Sequence, residues 1–204
     1  MLKTINIYLL RHGKTVGEPA LYGRTDVAVD EKTQNQICAQ LLEQDWAIKQ
    51  VVSSPLRRCR ELAEKLAKAN PELALQICDD IQEMDFGDLD GKPFDSVQHH
   101  WPQLEQFWQD PALNTLPGAE TLNSFYTRVS IFWQQFVENV AEDTLIVCHG
   151  GTIRMILATL LPLDWRNSDL YSVLQINHQS ISHIQIIKAD TTYKRVCSVS
   201  APLS

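Results

Sequence analysis

Two stretches of this chain, far apart in sequence, each close a run of apolar and β-branched residues on histidine followed by glycine. The first is Ile5-Asn6-Ile7-Tyr8-Leu9-Leu10-Arg11-His12-Gly13-Lys14-Thr15, and the second is Thr144-Leu145-Ile146-Val147-Cys148-His149-Gly150-Gly151-Thr152-Ile153-Arg154. Runs of this composition predict buried strands. A strand that stops on a histidine sets a titratable group where a sheet gives way to a loop. Two such strands bring two imidazoles to one sheet edge, with glycine giving the backbone room to approach a ligand. The competing reading is a pair of core strands with incidental histidines.

The rest of the chain alternates in period. A helix is predicted from Asp30 to about Gln44, a strand over Ala47 to Ser53, and a helix starting at Ser54-Pro55, where serine caps free amides and proline fits the first turn. Leu56, Cys59, Ala63 and Leu66 line one face of that helix, so Arg57, Arg58 and Arg60 cannot all share it, and at least one faces open space or a ligand. Leu73 to Cys78 reads as a short strand and Asp79 to Gly91 as an acidic loop. Ala119 to Val140 is an amphipathic helix, and a further helix runs through Leu161. Tyr171 to Ile176, Ile181 to Ile187 and Tyr193 to Val199 read as short strands.

Strands alternating with helices, followed by late hairpins, predict an α/β fold of three layers, α/β/α, with a mostly parallel central sheet flanked by helices and antiparallel additions near its edge. At 204 residues with 44% hydrophobic content, one domain spanning 1–204 is expected. A small cap-like segment is expected around 92–118, where an aromatic stripe of Trp101, Leu104, Phe107 and Trp108 suits packing better than ligand contact.

Charge and cysteine content narrow the function. A formal net charge of -7 argues against a nucleic-acid binder, which needs a basic face, yet leaves room for a local arginine cluster that takes an anion. Cys38, Cys59, Cys78, Cys148 and Cys197 are odd in number, scattered and without CxxC spacing, which suggests a reducing, cytoplasmic setting. The apolar stretch after Lys3 is too brief for a signal peptide, and Leu145 to Leu163 is interrupted by His149, two glycines and Arg154, so no membrane segment is expected.

The histidines lack acidic ligands nearby and there is no HExxH, so no metal site is expected. Nor does any GxSxG support a serine hydrolase. Arg11, Arg58 and Arg154 match an anion better, since guanidinium groups grip phosphate oxygens through paired hydrogen bonds. A solvated surface position is the simpler reading for Arg57, Arg60 and Arg154. Arg11 differs, because an unpaired cation in an apolar strand is costly.

The set Arg11-His12-Gly13-Lys14-Thr15, Tyr22-Gly23-Arg24-Thr25-Asp26, Ser53-Ser54-Pro55-Leu56-Arg57-Arg58-Cys59, Glu83-Met84-Asp85-Phe86-Gly87 and His149-Gly150-Gly151 resembles, in order, the signatures of the histidine phosphatase superfamily, also called phosphoglycerate-mutase-like. The resemblance covers about residues 5 to 160. Glu83 to Gly91 and Pro117-Gly118-Ala119-Glu120-Thr121 resemble the alpha-ribazole phosphatase branch, which acts in cobalamin nucleotide-loop assembly.

That resemblance implies a phosphoglycerate-mutase-like fold and a phosphomonoesterase that uses no cofactor. His12 would accept the phosphoryl group, Arg11, Arg58 and His149 would hold its oxygens, and Glu83 would be the acid-base residue. Thr15 and Gly150 are candidate further donors. Arg24 either contacts substrate or pairs with Asp26 or another carboxylate. The implied partner is a small phosphorylated metabolite bound by a monomer or homodimer. The enzymatic alternative is a phosphoglycerate mutase or broad sugar phosphatase, and the short interval between Glu83 and His149 disfavours the mutase. A non-catalytic phosphate-binding module is the alternative of another class. The chain departs from the pattern at Thr33, Ala119 and Leu62, read as scaffold variation, although Ala119 touches the substrate assignment.

Overall fold

The computed structural model describes residues 2–203. In chain order it comprises β1 (Lys3–Arg11), α1 (Glu31–Glu43), β2 (Gln50–Ser53), α2 (Arg57–Ala69) and β3 (Ala74–Ile77). After several single 3₁₀ turns come α3 (Trp101–Gln109), α4 (Leu122–Asn139), β4 (Thr144–Cys148), α5 (Gly150–Leu160), α6 (Asp169–Ser172), β5 (Ser180–Lys188) and β6 (Thr192–Pro202). The strands form one sheet in the order β3-β2-β4-β1-β5-β6. The first four run parallel, while β5 and β6 add on antiparallel beside β1.

The strand period of two divides the core into two layers. Ile5, Ile7 and Leu9 of β1 pack with Val52, Ile146 and Ile184 against Phe125, Val129 and Trp133 of α4 and Ile153 and Ile156 of α5. Tyr8 and Leu10 point the other way, with Val51, Leu145 and Val147, onto Ile37 and Leu41 of α1 and Cys59, Leu62 and Leu66 of α2. Helices therefore cover both faces, which is the expected three-layer arrangement with a mixed sheet.

Two expectations need correction. Tyr171 to Ile176 is not a strand: it starts in α6 and continues as a turn. Leu170, Tyr171 and Leu174 all pack on the core while Ser172 and Val173 are exposed, an i, i+1, i+4 pattern that a strand's alternation cannot give. Ser54 does not start α2 as its cap. The helix begins at Arg57 after Leu56 in extended conformation, and the Ser54 hydroxyl meets the His149 ring at 2.8 Å. Asp30 does cap α1, accepting from the Thr33 amide at 3.0 Å.

The register sets the site. Arg11 pairs with Cys148 across β1 and β4, and the His12 amide donates to the Cys148 carbonyl at 3.2 Å. The Ser54 amide donates to the Val147 carbonyl at 3.0 Å. Three neighbouring parallel strands thus end level, and their next residues are His12, His149 and Ser54. Ligands in open α/β sheets gather at this carboxyl edge.

Candidate active site

His12 is 6% exposed and its Nδ1 lies 2.7 Å from the Gly13 carbonyl. A carbonyl only accepts, so Nδ1 carries the proton and donates, which leaves the lone pair on Nε2. Burial, then the Arg58 and Arg11 charges and His178, hold the His12 pKa well below the usual 6.5. The ring is a neutral imidazole with one nucleophilic nitrogen.

Behind it sits a second layer. Arg58 and His149 are both 0% exposed. Arg58 donates from Nε to His149 Nδ1 at 3.1 Å, from Nη1 to the Thr25 carbonyl at 2.9 Å, and from Nη2 to the Tyr22 and Gly23 carbonyls at 3.1 and 2.6 Å. Since His149 Nδ1 accepts, its proton is on Nε2, which donates to Ser54 Oγ. Burial and then Arg58 lower the His149 pKa well below 6.5. The His12 and His149 rings meet edge to face with centroids 5.1 Å apart.

Glu83 arrives from the loop after β3. Its Oε2 accepts from the Gly151 amide at 3.0 Å and its Oε1 from the Met84 amide at 3.0 Å. Gly151 is in the first turn of α5, whose free amides supply the donor for this side chain. A Cβ on Gly151 would collide with Glu83 Oε1, so the second glycine of His149-Gly150-Gly151 exists to let this carboxylate in. By contrast, a Cβ on Gly13 would press on Val29, Ile37 and Thr33, so that glycine serves the packing of α1 rather than access to a ligand.

Arg11, His12, Lys14, Thr15, Glu83, Arg154 and His178 line a cavity of about 550 Å³. Pro19, Leu21, Tyr22 and Phe86 also line it. Arg11 donates from Nη1 to the Ile176 carbonyl and from Nη2 to His178 Nε2, while its Nε is buried without a partner. Arg154 donates from Nε and Nη2 to the Leu174 carbonyl at 3.1 and 2.8 Å. A Cβ placed on Gly150 would lie 3.3 Å from both Arg11 Nε and Arg154 Nη1, so the two guanidinium groups converge over that glycine.

The predicted residues therefore divide. Arg11, His12, Thr15 and Glu83 line the cavity, whereas Gly150 does not line it and packs against the Arg11 and Arg154 guanidinium groups. Arg58 and His149 stand behind His12. Arg24 pairs with neither Asp26 nor another carboxylate through its side chain: its guanidinium donates to the Gln82 side-chain carbonyl, while Asp26 accepts from the Arg57 amide. Arg57 and Arg60 make surface ion pairs with Glu61 and Glu64. Segment 92–118 packs behind the cavity wall through an Ala20–Pro93 bridge and a Phe94 amide bond to the Pro19 carbonyl.

Two further residues line the site. Arg154, an anion candidate in the sequence for which a solvated position was the simpler reading, follows Gly150 by four positions on α5, a spacing that turns both to the same helix face. His178 carried no local signal, because its turn reaches the site only through the antiparallel pairing of β5 with β1.

The departures are scaffold. Leu62 is fully buried in the core, and Thr33 supplies the amide that Asp30 caps. At the Pro117-Gly118-Ala119 turn only Gly118 has a left-handed φ, of 69°, so alanine at 119 costs no backbone strain.

The model of the histidine phosphatase superfamily (branch 1) matches residues 7–198. A bifunctional protein of Mycobacterium tuberculosis is 33% identical over 172 residues, a match covering 81% of this chain and 46% of that protein. The chain thus spans about half the length of that relative. A Hydrogenobacter thermophilus protein, provisionally assigned as phosphoserine phosphatase 2, is 30% identical over 169 residues, covering 79% of this chain and 81% of the other. The alpha-ribazole phosphatase of Shigella flexneri shares the fold with a TM-score of 0.76 at 21% identity, covering 97% of this chain and 98% of that one. With the motifs in order and nearly the whole chain matched, this protein belongs to the histidine phosphatase superfamily.

Proposed function

We propose that the protein is a phosphomonoesterase that forms a phosphohistidine at His12 and releases alpha-ribazole from its 5'-phosphate. In the first step His12 Nε2 attacks phosphorus in line with the leaving oxygen, the P–O ester bond breaks, and Glu83 supplies the proton that the leaving alkoxide needs. In the second step Glu83, now ionised, takes a proton from water, the water oxygen attacks phosphorus, and the P–N bond breaks to return neutral His12. Arg11 Nε and Arg154 Nη1 are positioned to meet the spread charge of the transferring group. His149 joins them by turning its Nε2–H from Ser54 Oγ to a phosphoryl oxygen, with Arg58 holding its tautomer.

The observation that carries the substrate reading is the union of the two stretches that resemble the alpha-ribazole branch. The Asp88 amide donates to the Pro117 carbonyl at 2.8 Å and the Glu120 amide to the Asp85 carbonyl at 3.0 Å. Gly87, with φ of 58°, lies where a Cβ would strike Pro117, Gly118 and Ala119. The two stretches are one unit, and it delivers Glu83 and Phe86 to the cavity together. Phe86 with Tyr22, Leu21 and Pro19 gives the cavity apolar lining suited to a flat heteroaromatic base.

A second reading rests on Arg154 and Lys14. These extra cations suit a leaving group that carries a carboxylate, as in phosphoserine, the compound in the name of the Hydrogenobacter relative. Specificity constants for alpha-ribazole 5'-phosphate, phosphoserine, 3-phosphoglycerate and an aryl phosphate separate the two. The expected result is an advantage of at least about tenfold for alpha-ribazole 5'-phosphate over 3-phosphoglycerate, or roughly 1.4 kcal/mol in transition-state binding. Equal or inverted constants would sink the alpha-ribazole assignment, and phosphoserine in first place would establish the second reading.

A further inference from the structure

We propose that His178 is a positioning residue, whose imidazole holds the Arg11 guanidinium in the orientation that turns Nε toward the phosphoryl group. The proposal rests on the phosphatase reading above and extends it to a turn that precedes β5 and lies outside every motif in the sequence.

The contact itself is unusual. Arg11 Nη2 and His178 Nε2 are 3.0 Å apart. Arginine only donates, so His178 Nε2 is the acceptor and the ring is neutral with its proton on Nδ1. The groups facing this ring are Arg11 and His12 at the end of β1 and Lys14 in the loop beyond it. The His12 and His178 rings meet edge to face with centroids 5.5 Å apart. Burial, then Arg11 and Lys14, lower the His178 pKa to about 4, which keeps the acceptor in place at neutral pH.

Arg11 is gripped at two successive alternate positions of one strip. Nη1 donates to the Ile176 carbonyl and Nη2 to His178, which fixes the plane of the guanidinium. Nε is left buried and without a partner, over Gly150. A buried unpaired cationic N–H is costly, and a phosphoryl oxygen is the partner that removes that cost.

The strip is itself held rigid. The Gln179 amide donates to the Arg11 carbonyl at 3.1 Å, tying the turn to the strand whose side chain it holds. The Asn177 amide donates to Ser200 Oγ at 2.7 Å, and Ser180 Oγ donates to the Asn177 carbonyl at 2.6 Å. Gln179 and Ser200 adopt φ of 57° and 54°, a conformation that non-glycine residues keep only where their surroundings over-determine it. This last hairpin therefore anchors a residue of the first strand.

The test uses the full chain with His178→Ala, His178→Gln and both in an Arg11→Lys background. Hydrolysis of an aryl phosphate gives KM and kcat, and competition by inorganic phosphate gives a binding constant independent of the leaving group. Loss of a hydrogen bond to a charged group predicts that His178→Ala raises KM and the phosphate inhibition constant about tenfold, with a smaller change in kcat. Gln restores an acceptor near the Nε2 position, so H178Q should recover most of the loss. In R11K, H178A should add nothing further. Equal losses in Ala and Gln, multiplying losses in R11K, or no loss in Ala would each overturn the assignment. Wild-type turnover of the aryl phosphate tests the underlying phosphatase reading separately.

Discussion

At the end of β1, His12 ties Nδ1 to the next carbonyl and leaves Nε2 without a partner, on the cavity. At the end of β4, His149 has both nitrogens engaged, by Arg58 on one side and Ser54 on the other. The preceding strands are paired residue against residue, and both histidines are followed by glycine. What differs is what packs around each ring. The His12 ring lines the cavity, whereas the His149 ring is enclosed by Arg58 and Cys59 of α2, by Ser54 and by the His12 ring. A shared motif thus brings two imidazoles to one edge, and the neighbours of each ring decide which one is free to attack.

The largest effect that bears on this comparison is covalent. Rapid quench with labelled substrate and alkaline peptide mapping should find an acid-labile phosphohistidine at His12. His12→Ala should lose label and turnover together, since no other ring nitrogen faces the cavity as a free nucleophile. Label at His149 with none at His12 would reverse the assignment of the two turns.

Glu83 belongs to the second turn by its hydrogen bond to Gly151, yet its task is to protonate a group that departs from His12. In single turnover, Glu83→Gln should slow release of a strongly basic alkoxide by about 10²–10⁴. Release of a weakly basic phenol should slow much less. Equal slowing of both leaving groups rules against proton donation as the main role of Glu83.

The parts of this arrangement legible in sequence were those carried by local pattern. The apolar run Ile5 to Leu10 announced a buried strand, and the ordered signatures led to His12, Arg58, Glu83 and His149. The layering of these four was not legible, because Arg58 is placed by carbonyls of Tyr22, Gly23 and Thr25, a loop whose path no periodicity records. Arg154 matched an anion, but a lone helical arginine is more simply read as solvated, and local pattern did not decide between the two. His178 was hidden by distance, since only the β1–β5 register brings residue 178 beside residue 11. The misread stretch 171–176 shows the same limit: its apolar residues suit either period, and the structure puts Tyr171 beside Leu170 on the core with Ser172 and Val173 exposed, as in a helical turn.

The smallest effect is on stability, and it weighs the two histidines against each other without catalysis. Both have folded pKa values held well below 6.5 by burial first and then by Arg58. In the unfolded chain both titrate near the ordinary value of about 6.5. The unfolded state therefore binds more protons as pH falls below that value, so the stability of the folded state is fully present above about 6.5 and declines below it. Each histidine should contribute roughly 1 kcal/mol of loss between about pH 6.5 and 5.5. Urea midpoints measured across this window should fall with acid, and His12→Gln or His149→Gln should each remove one share of the slope over a background common to the other histidines. Bound phosphate distinguishes the two shares. Protonating His12 on Nε2 breaks no existing bond and adds a cation beside the anion, whereas protonating His149 on Nδ1 must break its bond from Arg58. Saturating inorganic phosphate should therefore flatten the slope more in H149Q, which keeps His12, than in H12Q, which keeps only the enclosed ring. Identical flattening in the two variants would show that both imidazoles answer to the anion alike, and the proposed division between an attacking and an enclosed histidine would fail.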